Sequence, residues 1–476
     1  MDKFMAKFTE ILKDVDDIVW GVPLIVLILT VGIFLTLRLK GLQISKLPKA
    51  LKYMVKNEEG GKGEVSSFGA LCTALSATIG TGNIVGVATA ICAGGAGALF
   101  WMWVAALFGM ATKYAEGVLA VKYRVIDKDN HSLGGPFYYI ENGMGSKWKW
   151  LAKLFAIFGI GAGLLGIGTI TQVNGITSAV NNFFDGDNSW TVELFGRDYS
   201  WTVVIAAIVV TVFTALVIIG GIKRISQVSQ IIVPFMACIY VLFCVILLVL
   251  NAKAIPGAFK EIFESAFGLR AAAGGALGTI IIAMQKGIAR GIFSNEAGLG
   301  SAPIAAAAAQ TNEPVRQGLV SMTGTFIDTI VICTMTGLSI VITGAHHVDG
   351  LEGVGVTTRA FVDGLPFGNQ TCAFILMICL VFFAFTTILG WDYYSERCLE
   401  YLSKGKKTTM TVYRWLYIAA VFIGPFLTVA AVWTIADILN ALMALPNLIA
   451  LLALSGVVAK ETKSYFKRLK DGEIKE

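Results

Sequence analysis

The chain has 476 residues, of which 56% are hydrophobic and only 15% are charged, and its formal net charge is +6. Because soluble domains carry about 25% charged residues, this composition excludes a water-soluble globular protein and predicts a membrane-embedded bundle. The positive charge does not indicate nucleic-acid binding, which needs a basic face with interleaved aromatic residues on a polar domain.

The first apolar run, at about residues 18–37, is predicted to be a retained helix rather than a signal peptide. No small-residue cleavage site follows it. The eight cysteines show no C-x-x-C spacing, and most of them lie within apolar runs. They are therefore interpreted as small hydrophobic residues and not as a disulfide framework or a zinc site.

Eleven segments are long and apolar enough to span a membrane, which takes about 20 residues. They lie at about 18–38, 67–93, 98–121, 151–181, 201–220, 226–250, 274–293, 317–344, 370–396, 411–432 and 436–458. The first is interpreted as an extra N-terminal helix, and the other ten are called spans 1 to 10.

Lysine and arginine are distributed unequally between the alternate loops. The loops on one side hold 27 of these residues, and the loops on the other side hold eight. Because cytoplasmic loops are enriched in these two residues, the N-terminus is predicted to lie outside and the C-terminus in the cytoplasm. The predicted location is the cell (inner) membrane, which the chain crosses many times.

This topology predicts an all-α membrane protein with an inverted repeat of five plus five helices. Span 1 then starts from the cytoplasm and span 6 from outside, as in many secondary transporters. Residues 1–476 would form a single domain, with 67–250 as the first repeat and 274–458 as the second. Residues 459–476 would be a cytoplasmic tail.

Span 1 contains the sequence Gly80-Thr81-Gly82-Asn83 near its middle. Glycine weakens a helix and exposes the backbone, so this segment predicts a discontinuous helix. Freed carbonyls would suit a small cation, and freed amides at the start of the resuming half-helix would suit a carboxylate. The alternative is a small-residue packing face, because Gly82 and Gly86 also form a G-x-x-x-G pair.

Span 6 is predicted to hold a second break. The stretch 278–291 contains glycines, an amide and two charges that are costly in a membrane unless they face a cavity or partners. Lys286 and Arg290 are interpreted as structural residues that reach the interface or pair with Glu296. The polar, glycine-rich stretch 294–303 is predicted to be a cytoplasmic segment.

Two other spans carry polar residues that suit a binding site. Gln172 in span 3 is interpreted either as an interhelical hydrogen-bonding residue or as a substrate contact. Thr386 and Thr387 in span 8 have hydroxyls that suit a sodium ion, and Trp391 lies one turn beyond Thr387 on the same face. The alternative is threonines that bond back to their own helix and a tryptophan in packing.

The other ionisable residues are given a structural interpretation. Lys113 and Glu116 in span 2 are three residues apart and are expected to pair with each other or with neighbouring helices. The cluster His346, His347 and Asp349 lies in an outer loop. With one further histidine in the chain, it is not expected to be a catalytic metal site.

Several motifs closely resemble those of the sodium:alanine symporter (amino-acid carrier) family. The longest block has GGAGALFWMW at 94–103 and GMATKYAE at 109–116. Shorter blocks are GTGNI at 80–84, GGPFYY at 134–139 and SNEAG at 294–298. The resemblance extends over residues 21–456, which is nearly the whole chain.

The resemblance implies the leucine-transporter fold with one extra N-terminal helix, and sodium-driven uptake of alanine or glycine. It implies a sodium site between spans 1 and 8, formed by the carbonyls of Ser76, Ile79 and Phe383 and the hydroxyls of Thr386 and Thr387. It places the substrate carboxylate at the amides of Thr81 and Gly82. The other implied substrate residues are Thr78, Gln172, Met284, Gly287, Thr387 and Trp391. No cofactor is expected besides the co-transported sodium, and no obligatory protein partner.

Three alternatives remain beside this interpretation. A proton-coupled transporter would need a titratable carboxylate near the break, and span 1 has none. A channel would show flux without saturation, and two substrate-sized breaks argue against it. An intramembrane enzyme is not expected, because the spans contain no H-E-x-x-H motif and no suitable pair of nucleophile and base.

Overall fold

The structure, a computed structural model, describes residues 10–474 except Lys13, Asp17, Asn57, Glu59, 128–130, 195–196, 269–275 and Thr428. The described chain is almost entirely helical. Two short antiparallel hairpins are also present: β1 (Val125–Ile126) pairs with β2 (Ser132–Leu133), and β3 (Thr191–Leu194) pairs with β4 (Arg197–Ser200).

The helices of the first half are α1 (Val22–Arg38), α2 (Leu42–Ser45), α3 (Leu47–Val55), α4 (Ser67–Thr78), α5 (Val87–Gly94), α6 (Gly97–Lys122), α7 (Pro136–Gly143), α8 (Lys149–Leu165), α9 (Ile170–Phe184), α10 (Trp201–Ile218) and α11 (Gly221–Leu250). The helices of the second half are α12 (Ile255–Ala266), α13 (Ala276–Asn295), α14 (Ala302–Ala306), α15 (Pro314–Thr325), α16 (Thr334–Thr343), α17 (Val354–Gly364), α18 (Asn369–Ser403), α19 (Lys407–Ile423) and α20 (Val429–Lys470). Two π-helical segments join neighbouring helices, Gly82–Gly86 before α5 and Phe326–Cys333 between α15 and α16.

Seven helices or helix pairs in the described part of the chain are long and apolar enough to cross a membrane, and an eighth is added if α4 and α5 form one bent span. The chain is therefore an all-helical, multi-pass membrane protein. The predicted total of eleven spans and the inverted repeat remain predictions. Length and charge explain the difference, because α1 and α19 have 17 residues each and α13 contains Lys286 and Arg290.

Helices α10 and α11 present the apolar surface that faces away from the bundle. Phe213 and Leu216 on α10 are both 57% exposed, and Ile231 on α11 is 73% exposed. Soluble proteins rarely expose apolar patches of this extent, so these two helices face lipid.

The discontinuity predicted in span 1 is confirmed. Helix α4 ends at Thr78, and the chain resumes as the π-helical segment Gly82–Gly86 followed by α5. The two halves are bent by 53° relative to each other. The glycine-rich sequence therefore breaks the helix rather than forming an uninterrupted packing face.

The break predicted within 278–291 is wrong, because α13 is one unbroken helix over that stretch. The interruption comes later, at residues 296–301, before the short helix α14. Gly298 and Gly300 have φ angles of +92° and +83°, and Glu296 has +54°. Residues with a side chain rarely adopt positive φ angles, so the two glycines are needed for the chain to leave the helix there.

The stretch 294–303 is buried inside the bundle despite its polarity, and its cytoplasmic location stays a prediction. Ser294, Asn295 and Glu296 are each 1% exposed. Their polar groups find partners on neighbouring helices, which allows a polar sequence to lie inside the bundle.

The predicted span 3 also contains an interruption. Helix α8 ends at Leu165, and α9 starts at Ile170. A Cβ atom on Gly168 would overlap the side chain of Trp391 in α18, so the absence of a side chain lets this interruption approach α18. The first and third spans are therefore interrupted within the bundle, and a further interruption follows directly after the sixth span.

At one end of the molecule the chain before α4 is joined to the chain after α14. The amides of Glu64 and Val65 donate to the carbonyl of Ala308 at 2.8 and 3.1 Å, and the Gln310 amide donates to the Val65 carbonyl at 2.7 Å. We call the paired segments 62–65 and 308–311 the junction. It lies on the face predicted to be cytoplasmic.

Candidate substrate and cation site

The break between α4 and α5 is capped by the side chain of Asn83. The side-chain Oδ1 accepts a hydrogen bond from the Gly80 amide at 2.9 Å, and the backbone amide of Asn83 donates to the Gly80 carbonyl at 3.2 Å. Asn83 is fully buried. The side chain thus satisfies one of the amides that the break frees, and it fixes the direction in which the resuming half-helix points.

Two threonines of α18 lie against this break. Thr387 Oγ1 donates to the Phe383 carbonyl at 3.0 Å and lies 3.4 Å from the Ile79 carbonyl. Thr386 Oγ1 also donates to the Phe383 carbonyl, at 3.0 Å. Ser76 lies in the last turn of α4, where its hydroxyl donates to the Thr73 carbonyl. The two threonines therefore donate hydrogen bonds to their own helix, which was the alternative considered from the sequence. The Thr387 hydroxyl oxygen nevertheless lies beside the break.

Gln172 of α9 joins the third span to the first. Its Oε1 lies 3.4 Å from the Thr81 amide, and its Nε2 donates to the Ile167 carbonyl at 3.0 Å. Thr81 Oγ1 is buried and has no hydrogen-bond partner among the described residues. An unpaired buried hydroxyl costs free energy, so this oxygen marks a place where a polar ligand would find a partner.

Trp391 of α18 is fully buried and connects the third span with the interruption after α13. Its Nε1 donates to Glu296 Oε1 at 2.9 Å, and the other carboxylate oxygen of Glu296 accepts from Ser301 Oγ. The indole is therefore anchored at both ends, by packing at Gly168 and by a hydrogen bond at Glu296. Sequence reasoning placed Trp391 near the site but did not identify this carboxylate.

The sixth span meets the break through its last turn. A Cβ atom on Gly82 would lie 3.4 Å from the Ser294 Cα and 3.5 Å from the Phe293 ring, which is ordinary contact. Gly287 lies two turns earlier and packs against the Ala98 carbonyl of α6. Met284 is half-buried against the apolar core. The described contacts thus bring Gly82 to the end of α13 but do not bring Gly287 to the break.

Comparison with known proteins decides the family. The sequence pattern of the Sodium:alanine symporter family matches residues 5–476. The chain belongs to the sodium:alanine symporter family. The resemblance stated from the motifs is thereby confirmed, and because this is a family of transporters the chain is not an enzyme.

Three relatives cover nearly the whole of this symporter-family chain. The sodium/alanine symporter AgcS of Methanococcus maripaludis is 48% identical, over 98% of this chain and 99% of AgcS. A transporter of Haemophilus influenzae is 56% identical over 97% of each chain. The amino-acid carrier protein AlsT of Bacillus subtilis is 37% identical, over 98% of this chain and 94% of AlsT.

In this family member a buried carboxylate from the seventh span lies beside the break. Asp328 Oδ1 accepts from Asn83 Nδ2 at 2.7 Å, and Oδ2 accepts from Ser294 Oγ at 2.9 Å and from Thr329 Oγ1 at 2.7 Å. Asp328 is fully buried and has no salt-bridge partner among the described residues. Its hydrogen bonds link the first, sixth and seventh spans.

Asp328 was missed by the sequence reasoning, although a signal exists. It is the only acidic residue in the predicted span 317–344. An ionisable residue inside a membrane span marks a functional site by default. Span 1 has no carboxylate, as predicted, but a neighbouring span supplies one.

A second buried carboxylate holds the interruption after α13. Glu116 Oε1 accepts from the Gly298 amide at 3.2 Å and from Asn447 Nδ2 at 2.7 Å. Within the described residues, Lys113 and Glu116 form no salt bridge with each other, and the other expected alternative, interaction with neighbouring helices, is the one observed. Lys113 lines a buried cavity together with Thr78 and interacts electrostatically with several buried carboxylates.

Proposed function

We propose that this chain imports a small neutral amino acid, alanine or glycine or both, together with sodium. One observation carries the proposal: the carbonyls of Ile79 and Phe383 and the hydroxyl of Thr387 meet where a broken membrane helix touches α18. Hard oxygen atoms of this kind suit a small, weakly polarising cation. Transport by alternating access would then be driven by the sodium gradient.

The proposed sodium ligands are neutral and come from two helices. They are the carbonyls of Ser76, Ile79 and Phe383 and the hydroxyls of Thr386 and Thr387. A bound ion would attract α4 and α18 to each other and would complete the substrate site in the outward-open form. Sodium would thus increase the population of the state that binds the amino acid.

The amino acid is proposed to bind at the start of the resuming half-helix. The amides of Thr81 and Gly82 would take its carboxylate, because amides at a helix N-terminus favour anions. The side chains proposed to line the rest of the pocket are Thr78, Gln172, Thr387 and Trp391. A small pocket between these groups would favour alanine and glycine over larger amino acids. Met284 and Gly287 stay as predicted substrate residues.

The proposal includes the topology predicted from the sequence. An extra N-terminal helix at 18–38 would precede two inverted five-helix repeats, 67–250 and 274–458, and a cytoplasmic tail at 459–476. The N-terminus would lie outside the cell, and the junction would face the cytoplasm. The break after α13 would be the counterpart of the break after α4 in the second repeat.

Uptake of labelled alanine into proteoliposomes tests the sodium coupling. We expect alanine to accumulate with an inward sodium gradient and not when choline replaces sodium. An inside-negative potential should increase the accumulation, because each charge gains about 2.3 kcal/mol per 100 mV. Accumulation without sodium, or flux that never saturates with alanine, would refute the proposal.

A matched pair of variants tests the proposed ligand set. Thr387→Ala removes one oxygen beside the break and should raise the half-saturating sodium concentration by about tenfold, as expected for one lost charge-assisted contact. Thr211→Ala removes a hydroxyl that donates to its own helix at the Ala207 carbonyl, and it should leave sodium dependence unchanged. Equal sodium dependence in both variants would exclude Thr387 as a ligand.

Coupling to protons is the second candidate, and Asp328 is the observation that favours it. This fully buried carboxylate is hydrogen-bonded to Asn83 at the break, so its protonation would alter the capping of the half-helix. An inward proton gradient without sodium separates the two candidates. Proton coupling predicts accumulation that Asp328→Asn abolishes, whereas sodium coupling predicts no accumulation under these conditions.

A further inference from the structure

Three side chains from distant parts of the sequence converge at the end of the molecule opposite the junction. Glu261 lies on α12, and His346 and His347 lie in the short turn that follows α16. The Nε2 atoms of both histidines lie 3.4 Å from Glu261 Oε1. The three ligand atoms all lie within 4.8 Å of one another.

The fold places these side chains by packing α12 against the end of α16. Helix α12 also packs on α6 and α13, which fixes the position of Glu261. Helix α16 ends at Thr343 and is followed by Gly344, whose φ of +69° turns the chain into the segment with the two histidines. Their rings lie 3.9 Å apart with an interplanar angle of 37°, so both can face one carboxylate.

We propose that Glu261, His346 and His347 form a binding site for a divalent transition-metal ion of the zinc class. Zinc bonds to histidine nitrogen and carboxylate oxygen are about 2.0–2.2 Å long, so two ligand atoms of a tetrahedral site lie about 3.4 Å apart. Both distances from the histidines to Glu261 have this value. Two imidazoles and one carboxylate form a donor set that suits zinc rather than magnesium or calcium.

The surroundings allow an ion to enter and leave a fourth position open. The His346 side chain is only 5% exposed, whereas that of His347 is 69% exposed. The three residues line an open cavity together with Cys92 at the end of α5 and Thr279 in α13. Three protein ligands with solvent on the fourth side are the arrangement of an accessible zinc site.

This site differs from the cluster considered in the sequence, where Asp349 was grouped with the two histidines. The carboxylate that meets them is Glu261, from a different helix. A bound ion would therefore fasten α12 to the end of α16, next to the half-helix α5 and the start of α13. Because α13, α16 and the turn with the two histidines pack against α5, which is the outer half of the broken first span, the ion would restrain the relative movement of these segments.

Zinc binding to the purified full-length chain in detergent tests the proposal independently of what the chain transports. Isothermal titration calorimetry with zinc chloride should show saturable binding of one ion per chain, and magnesium chloride should show none. Glu261→Gln and His347→Ala should each weaken zinc binding by at least about tenfold, because even changes outside the ligand shell cost about 10–100-fold.

Control variants keep the test interpretable. Glu352→Gln changes an exposed carboxylate of the same outer region and should bind zinc as the unmodified chain does. His347 is mostly exposed, so its replacement should not impair folding, which thermal unfolding without zinc would verify. Absence of saturable binding, or binding that Glu261→Gln and His347→Ala leave unchanged, would overturn the proposal.

Discussion

At the scale of single residues, the closest contact between the first break and α18 is between Gly80 and Thr387. A Cβ atom on Gly80 would lie 2.5 Å from Thr387 Oγ1 and 3.4 Å from Gln172 Oε1. Real Cβ atoms do not come so close to a side-chain oxygen, so only glycine lets the break touch α18. The Thr387 oxygen that Gly80 contacts is also a proposed sodium ligand. A change in the packing at Gly80 should therefore change the sodium affinity as well.

Gly80→Ala should therefore reduce both stability and uptake. The added methyl group would push α4 away from α18, and overpacking of this kind costs about 1–3 kcal/mol. Thermal unfolding and sodium-dependent alanine uptake measure the two effects. Gly86→Ala is the matched control, because nothing lies within 4 Å of a Cβ at that position. If the two variants behave alike, the close contact at Gly80 does not determine the site.

The interruption in span 1 could be predicted from its sequence, but the groups that face it could not all be identified. Two glycines and an asparagine within four residues are a local signal for a break. The sequence does not predict which groups Asp328 and Glu296 contact, because their partners lie far away in the sequence. Only the packing of the first, sixth and seventh spans brings Asp328 to Asn83.

At the scale of elements, apolar run length predicts where the helices lie but not where α13 ends. The charges in 278–291 predicted a break that the helix does not have, because its backbone hydrogen bonds remain intact through Asn295. The end is set by side chains from α6 and α20. Glu116 and Asn447 bind the backbone of Gly298, whose φ angle is +92°. Such tertiary contacts leave no periodic pattern in the sequence.

Asn447→Ala should destabilise the interruption after α13. The Asn447 amide donates to Glu116 Oε1 at 2.7 Å and to the Gly298 carbonyl at 2.9 Å, and its Oδ1 accepts from the Tyr139 hydroxyl. Each buried group left without a partner costs about 1–3 kcal/mol. We expect a lower midpoint of thermal unfolding and reduced uptake.

A control for this effect lies on the same helix. Asn440 is also fully buried, but neither polar atom of its side chain has a hydrogen-bond partner among the described residues. Asn440→Ala should therefore cost much less stability than Asn447→Ala, since no hydrogen bond is lost. Equal losses would mean that side-chain volume, and not hydrogen bonding at Gly298, determines the stability of α20 in the bundle.

At the scale of the whole molecule, the junction closes one face by joining the chain before the broken first span to the chain after α14. Arg124, just beyond the end of α6, donates from Nη1 and Nη2 to carbonyls on both of its segments. The acceptors are the carbonyls of Ala307 at 2.7 Å, Ala309 at 2.6 Å, Lys62 at 2.8 Å and Thr311 at 2.6 Å. One guanidinium therefore holds the start of the first span, the second span and the chain after α14 together.

Arg124→Gln should loosen this face. Hydrogen bonds from a charged donor contribute about 1.5–3 kcal/mol, and the shorter amide of glutamine cannot reach four carbonyls. We expect faster amide hydrogen exchange in 62–65 and 308–311 and a lower unfolding temperature. Lys122→Ala breaks an exposed pair with Glu461 and should cost only about 0–1 kcal/mol. Unchanged exchange in the junction of Arg124→Gln would contradict this role.

The same face carries a group that makes the stability of the molecule depend on pH. His131 Nε2 lies 2.9 Å from Glu400 Oε1, and Nδ1 lies 3.3 Å from Glu64 Oε2, so the ring connects the junction to the end of α18. The hydrogen bond to Glu400, followed by that to Glu64, raises the pKa of His131 to about 9, although burial and the nearby Arg397 oppose the rise. The histidine is therefore protonated in the folded protein at neutral pH.

Because the pKa is higher in the folded than in the unfolded chain, protonated His131 stabilises the fold. Its contribution is complete below about pH 6.5, the ordinary pKa of histidine, and is lost as the pH rises through about 9. The unfolding midpoint of the unmodified chain should thus exceed that of His131→Ala at neutral pH, and the difference should shrink toward alkaline pH. A difference that stays constant across this range would show that His131 stabilises the face by packing alone, and that its charge does not hold the junction to α18.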